Sequence, residues 1–315
     1  MRRQTGPYAG TRQRVSCLAD GLSFSFIPHH FQQTQVDRVS SSNTTDTVFA
    51  LLTMPSYAVL GASGGIGCSL LRVLLQSPDN EVNAYCRSRA KLYRVCPEAS
   101  KSDRVRTFEG RLDDVSLLVD CIRGTQAVFL AVSVRDNMPG CTLARDTASV
   151  TVAALDQICA NGDSGTRLPR VIMLSSASLE ESFCGDVPAF VHWLLDRAVS
   201  HLYQDLAKAE ALLRRQENWL CSVFVKPGGL VHDRQGGHKV STTTAQTPLS
   251  FLDLAAGMVE VADDEMGQYD MKSVSVLPTA GKVAFPWDCV YFTLTGLLFH
   301  YFPWTYRYVG ECPQQ

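Results

Sequence analysis

The chain has 315 residues, 45% of them hydrophobic, with 29 Lys and Arg against 31 Asp and Glu and a formal net charge of −2. That is enough apolar material for a substantial core, in one large domain or a domain with a small appendage, and it excludes the bulk basic surface that nucleic acid selects. The eleven cysteines form no C-x-x-C pair and no Cys/His metal spacing. Cys68, Cys86, Cys159 and Cys221 sit inside apolar patterns, so the expectation is a reducing, cytoplasmic setting without structural disulfides or a metal centre.

Residues 1–53 are rich in Arg, Ser, Thr and Gln and hold no sustained period. Three readings stay open for them. Arg2, Arg3, Arg12 and Arg14 precede the first acid, Asp20, as in a mitochondrial transit peptide. A disordered tail is the second. The third is a working start at Met54, where Met-Pro-Ser-Tyr-Ala-Val-Leu-Gly runs straight into a strand. The favoured expectation is a non-catalytic extension.

From Tyr57 onward strand and helix patterns alternate. Strands are expected at Tyr57–Leu60, Val82–Cys86, Val105–Phe108, Ala127–Val132, Val171–Leu174 and Cys221–Val225. Helices are expected at about Gly65–Gln76, Asp113–Arg123, Thr142–Ala160 and, as one long element, Val191–Gln216. This order predicts an α/β fold, a Rossmann-type doubly wound parallel sheet over residues 54–230. After Lys226-Pro-Gly-Gly the alternation stops. Residues 230–248 read as loop, Phe251–Ala262 as helix and Ser273–Leu277 as a short strand, so 231–315 is expected to be a small C-terminal substrate-binding region. Trp287–Phe302 is aromatic and almost uncharged. It falls well short of the ~20 apolar residues of a spanning helix, which favours a buried helix or pocket wall over a membrane span.

The loop Gly61-Ala-Ser-Gly-Gly-Ile-Gly67 joins the first strand to the first helix. A lone glycine triplet is weak, but strand before and helix after make it a dinucleotide-phosphate loop. Gly61 allows the tight turn, Gly64 lets backbone approach a pyrophosphate, and Gly67 lets helix pack on strand. Ser63, Gly65 and Ile66 belong to the same phosphate-holding turn. Where an NAD-binding loop places an acid, about 20 residues on, this chain has Arg87, in Tyr85-Cys-Arg-Ser-Arg-Ala-Lys91. A guanidinium there suits a 2′-phosphate, so the expected cofactor is NADP(H), with Arg89 and Lys91 as weaker candidates.

These residues resemble the short-chain dehydrogenase/reductase superfamily, in the atypical NAD(P)H-binding branch that holds NmrA-like proteins. The glycine loop, Val171-Ile-Met-Leu-Ser-Ser-Ala-Ser178, Asp205-Leu-Ala-Lys-Ala-Glu-Ala-Leu-Leu-Arg214 and Phe224-Val-Lys-Pro-Gly-Gly-Leu-Val231 carry that resemblance. Val82-Asn-Ala-Tyr-Cys-Arg87, Ser250-Phe-Leu-Asp-Leu-Ala-Ala-Gly-Met258 and Phe299-His-Tyr-Phe-Pro-Trp304 further resemble the averufin oxidase A family. The resemblance implies an NADPH-dependent oxidoreductase of fungal secondary-metabolite biosynthesis. Its expected partner is a small aromatic polyketide of anthraquinone, anthrone or xanthone type. The alternatives are a non-catalytic NADP-sensing regulator or scaffold, and an epimerase or dehydratase that recycles its nicotinamide. It also implies Val132, Pro227 and Gly228 at the cofactor.

The superfamily uses Ser, Tyr and Lys, the Tyr four residues before the Lys. Ser176 and Lys208 match, with Lys208 also expected on the nicotinamide ribose, but Gln204 stands at the tyrosine position. Tyr203 falls about 140° round the helix from Lys208, while His201 returns to the lysine's face. The expected catalytic set is therefore Lys208, Ser176, His201 and Gln204. The acid/base role passes to His201, Tyr203, a water or the substrate's own phenols. Phe183, Phe190, Trp193 and Trp287 are expected to wall the substrate.

Overall fold

The computed structural model describes residues 54–134, 136–161, 167–183, 185, 188–231, 234–279 and 288–310. The readings for residues 1–53 and for Trp287 lie outside them. Ten strands are described: β1 (Ser56–Leu60), β2 (Glu81–Cys86), β3 (Val105–Glu109), β4 (Ala127–Leu130), β5 (Arg170–Leu174), β6 (Ser222–Val225), β7 (Leu230–Val231), β8 (His238–Ser241), β9 (Leu249–Ser250) and β10 (Ser273–Pro278). The main sheet runs β3-β2-β1-β4-β5-β6-β10-β8, parallel throughout except that β8 lies antiparallel to β10. Its first six members have the doubly wound order expected from the alternating sequence. β7 and β9 pair separately.

Strands buried on both faces send alternate side chains to opposite layers. Tyr57, Val59, Phe129, Ile172 and Val225 face one layer, formed by α1 (Gly65–Leu74) and, later in the chain, the helix Phe251–Ala262. Ala58, Leu60, Val128, Met173 and Phe224 face the other. There lie α3 (Val115–Ile122), α4 (Leu143–Ala160) and the helix Ser200–Arg214, while α2 (Arg89–Val95) follows β2. Each fully buried Leu, Val or Phe contributes about 1.5–3 kcal/mol.

The structure differs from the sequence reading at four places. The helix expected over 191–216 is two, α5 (Ala189–Ala198) and α6 (Ser200–Arg214), because Val199 leaves helical geometry at φ −127°, ψ 23°. Apolar spacing continues across the break and conceals it. The stretch 230–248 is not all loop: β8 and β10 extend the same sheet past β6, and α7 (Phe251–Ala262) packs on α1, so the sheet has no boundary at 230. The helix α2 was not expected; Ser88 caps it, accepting from the Lys91 N–H. Cys159 is exposed, not part of an apolar face, and the described cysteines are free thiols. The aromatic stretch forms α8 (Asp288–Tyr301), which packs along α5 yet leaves Tyr291 and Leu294 exposed. Among the described residues no helix is long and apolar enough to cross a membrane.

Candidate active site

The turn after β1 is built by two glycines and left bare by a third. Gly61 has φ +84°, and a Cβ there would meet the Ala131 carbonyl oxygen at 2.7 Å. A Cβ on Gly67 would meet the Gly61 oxygen at 2.2 Å and the Ala62 Cα at 2.7 Å. Gly64, the residue before α1, is exposed; its nearest neighbour would be the Gly61 oxygen at 3.2 Å. No side chain caps α1 and no acid stands in its first turn. Its leading N–H groups and positive dipole end are thus available to an anion.

The turn opens into a cleft of about 160 Å³. Gly61, Ser63 and Gly64 line it, with Arg87 from the end of β2, Lys91 from α2, and Val132 and Ser133 beyond β4; Leu112 and Leu143 complete the walls. Ile66 is buried behind it, and Gly65 lies against Phe251. The three cations after β2 divide. Arg87 is exposed and has no ionic partner among the described residues. Arg89 is turned to β3, where its guanidinium reaches the Thr107 carbonyl at 3.3 Å and Glu109 at 3.8 Å. Pro227 and Gly228 lie two strands away, at the end of β6, and do not line the cleft. Pro227 instead accepts the Ala177 N–H at 2.9 Å, tying the ends of β5 and β6 together.

On α6 the residues expected to be catalytic lie away from the buried side. Its buried side carries Asp205, Leu206, Ala209, Glu210 and Leu213, whereas Lys208 and Gln204 are exposed. At 100° per residue both lie well over a quarter-turn from the centre of the buried side. The two acids take the inner face because each has partners there. Asp205 accepts the N–H groups of Ala144 (2.7 Å) and Arg145 (3.1 Å) at the start of α4. Glu210 accepts the Ser175 hydroxyl and lies 3.0 Å from Nζ of the buried Lys226, which also reaches Glu180 at 3.1 Å. The roughly 140° between Tyr203 and Lys208 holds, but Tyr203 is the one that reaches the end of β5: its hydroxyl donates to Ser178 Oγ at 3.0 Å. Ser176, two residues earlier, is half-buried and opens the short helical turn Ala177–Leu179.

His201 packs between α6 and α8. Its backbone N–H donates to Asn137 at 2.8 Å, its ring lies 6.4 Å from that of His300, and its Nε2 is buried with no hydrogen-bond partner among the described residues. Burial depresses its pKa, a hydrogen bond to the Phe299 carbonyl opposes this, and His300 adds to the depression. It is a packing residue of the helix junction. Asn137 ties the same junction together, donating to the carbonyls of Arg197 and Gly296.

Beside Ser178 runs an open groove of about 710 Å³, lined by Leu179, Glu181, His192, Trp193, Asp196 and Arg197 among others. Of the expected aromatic walls, Trp193 lines it, Phe190 is exposed and stacked on Trp193 at 6.0 Å, and Phe183 is buried. A hollow of about 560 Å³ lies at the opposite, amino ends of the strands. Its polar groups serve one another: Asp263 accepts from Tyr57 (2.6 Å) and Gln126 (2.8 Å), and Arg170 meets Asp270 at 3.0 Å. Ligands of open α/β sheets bind at the carboxyl ends, so the cleft and groove are the candidate site.

A family model described as NAD(P)H-binding matches residues 61–265. Oxidoreductase stcQ of Emericella nidulans is 61% identical over 262 residues, 82% of this chain and 95% of that protein. Oxidoreductase aflX of Aspergillus parasiticus is 56% identical over 260 residues, 82% and 97% of the two chains. Among solved structures, a short-chain dehydrogenase/reductase of Veillonella parvula in complex with NADP superposes with a TM-score of 0.57 at 21% identity, covering 74% of this chain and 99% of that one. That last likeness concerns the fold.

Proposed function

From a chain that belongs to the NAD(P)H-binding family and is an NAD(P)-dependent oxidoreductase, we propose a finer reading: it is of the short-chain type and uses NADPH to move hydride to or from a carbonyl or quinone-like carbon of an aromatic polyketide. The setting is fungal secondary metabolism, and the closer kinship is with the averufin oxidase A family. The observation that carries it is the convergence of Ser63, Gly64, Arg87 and Val132 on one cleft, one strand away from a groove with an aromatic wall.

The donors fit the cofactor: bare N–H groups at α1 for the pyrophosphate, and a guanidinium without an ionic partner among the described residues where a 2′-phosphate would lie. When bound, the nicotinamide supplies or takes the hydride. The register Leu130↔Met173 sets the turn at Val132–Ser133 beside the turn at Ser175–Ser178. Ser176 is kept as a residue facing the reacting centre. The hydroxyls of Tyr203 and Ser178 hold the substrate oxygen, and Trp193 supports its rings. Residues beyond 231 serve the substrate side through α8, which packs on the helix that carries Trp193.

Two results test this reading. Arg87→Asp is expected to weaken NADPH binding tenfold or more, the loss of one charge-assisted hydrogen bond of about 1.5–3 kcal/mol, and to leave NADH binding nearly unchanged. Fluorescence titration of both dinucleotides checks it, and an unaltered preference rejects the NADP assignment. Tyr203→Phe is expected to lower kcat for NADPH-driven reduction of phenanthrenequinone, a flat quinone, by about tenfold with NADPH affinity retained. Tight NADPH binding without consumption by any flat quinone, anthraquinone or anthrone rejects hydride transfer to this substrate class.

A further inference from the structure

A carbonyl that receives hydride must also receive a proton. Tyr203 and Ser178 are hydroxyls bonded to each other, suited to holding an oxygen. Lys208, the cation expected to assist them, is exposed on the other side of α6. A group that changes charge near neutral pH has to come from elsewhere, and imidazole is the side chain that does so unaided.

The groove that Ser178 lines has such a group on its other wall. His192 of α5 lines it together with Asp196, one helical turn on, and the imidazole Nδ1 is 3.0 Å from the Asp196 carboxylate. An Nδ1–H donated to a carboxylate fixes the tautomer, makes Nε2 the basic nitrogen and stabilises the imidazolium. The side chains are 31% and 42% exposed, so water can restore a proton between turnovers. Trp193, the next residue, lines the same groove and carries the Arg197 guanidinium 4.0 Å from its ring centre. That is a flat, cation-backed platform for a polycyclic phenol.

We infer that the groove between residues 178–181 and α5 binds a planar phenolic substrate, and that His192 with Asp196 exchanges the proton on its carbonyl oxygen. The inference rests on the oxidoreductase reading above. In the reducing direction hydride adds to the carbonyl carbon, the π pair moves to oxygen, and that oxygen takes the proton from Nε2–H of His192. The products are the hydroxyl compound, NADP⁺ and neutral imidazole, which regains its proton from water. In the oxidising direction the imidazole takes the hydroxyl proton as hydride leaves.

Among the described residues, three charged side chains line the groove beside His192. Glu181 comes from the short turn after β5, and Asp196 and Arg197 come from α5 itself. From α6, which follows α5, come His201 and Tyr203, engaged with Asn137 and Ser178. The described titratable side chains of α8, packed on α5, are Cys289, Tyr291, His300 and Tyr301, with His300 bound to Ser200 at 2.7 Å.

The test uses the full chain, NADPH and phenanthrenequinone, followed by NADPH absorbance from acid to alkaline pH. For the wild type, kcat/KM for reduction is expected to fall as pH rises, because the step takes a proton from a group on the protein. His192→Gln is expected to cut kcat about a hundredfold, erase that limb, and leave NADPH affinity and melting temperature unchanged. Asp196→Asn, which removes the carboxylate that holds the ring 3.0 Å away, is expected to lower kcat with NADPH affinity retained. Were the histidine merely structural, His192→Gln would lower stability or raise KM and keep the limb. An unchanged rate or limb in His192→Gln overturns the pair's role and leaves the oxidoreductase reading standing. A wild type that consumed no NADPH with any flat quinone would sink both.

Discussion

Gly67→Ala is expected to lose measurable NADPH binding and to melt well below the wild type. The added Cβ would sit 2.2 Å from the Gly61 oxygen and 2.7 Å from the Ala62 Cα, and both are backbone atoms that cannot swing away. Relief requires α1 to back off β1. That spoils the turn closed by the Gly64 N–H on the Gly61 carbonyl at 2.9 Å. Overpacking of this kind costs about 1–3 kcal/mol, and a backbone clash belongs at the upper end. Gly64→Ala is the contrast. Its Cβ would find 3.2 Å to the same oxygen, so stability should hold while the methyl occupies the path of the pyrophosphate. Thermal melts with and without NADPH separate the two, and a Gly67→Ala chain that melts and binds normally contradicts the loop geometry.

Lys226→Ala should be the most destabilising single change outside that loop, by about 3–5 kcal/mol in urea unfolding at neutral pH, because it strands buried charge. Lys226 is 2% exposed and joins Glu210 and Glu180. Burial alone would raise the Glu180 pKa; hydrogen bonds from Lys226 and Ser273, with the charges of Lys226 and Arg214, outweigh it and hold the carboxyl below its ordinary value. With the folded pKa below the unfolded one, this contribution is full above the usual carboxylate range. It is lost as pH falls through the depressed value, since the unfolded chain binds more protons there. Without the lysine Glu180 loses the hydrogen bond and charge that hold its pKa down. The stability gap between wild type and variant should therefore narrow as pH falls toward 4. A gap that stays constant with pH would mean the pair contributes packing alone.

The glycine loop, the strand order and the cation at Arg87 were legible because each depends on local chemistry: a bare backbone turn, a strand–helix alternation, a charge at a strand end. The catalytic side was not, because a motif spacing gives which residues share a helical face but not which way that face turns. On α6 that was decided by Asp205 and Glu210, whose partners at Ala144, Ser175 and Lys226 lie far off in sequence. The contact between Tyr203 and Ser178 is of the same long-range kind. The break at Val199 was hidden by continuous apolar spacing. Two signals could have been read earlier. His192 and Asp196 stand at the i, i+4 spacing that pairs side chains on a helix. Lys226 ends the uninterrupted apolar run Val223-Phe-Val, where an unpaired charge could not remain.

Asp205 and Tyr203 belong to the same helix, and this ties together two quantities that kinetics treats separately. Asp205 grips the first turn of α4, and Leu143 at that turn is a wall of the dinucleotide cleft. Tyr203, two residues earlier, reaches into the turn beside the substrate groove. A small rotation of α6 therefore moves a wall of the cleft and the Tyr203–Ser178 contact as one lever. If the cleft and the groove hold cofactor and substrate as proposed, one rigid arm joins them, so filling either should alter affinity at the other.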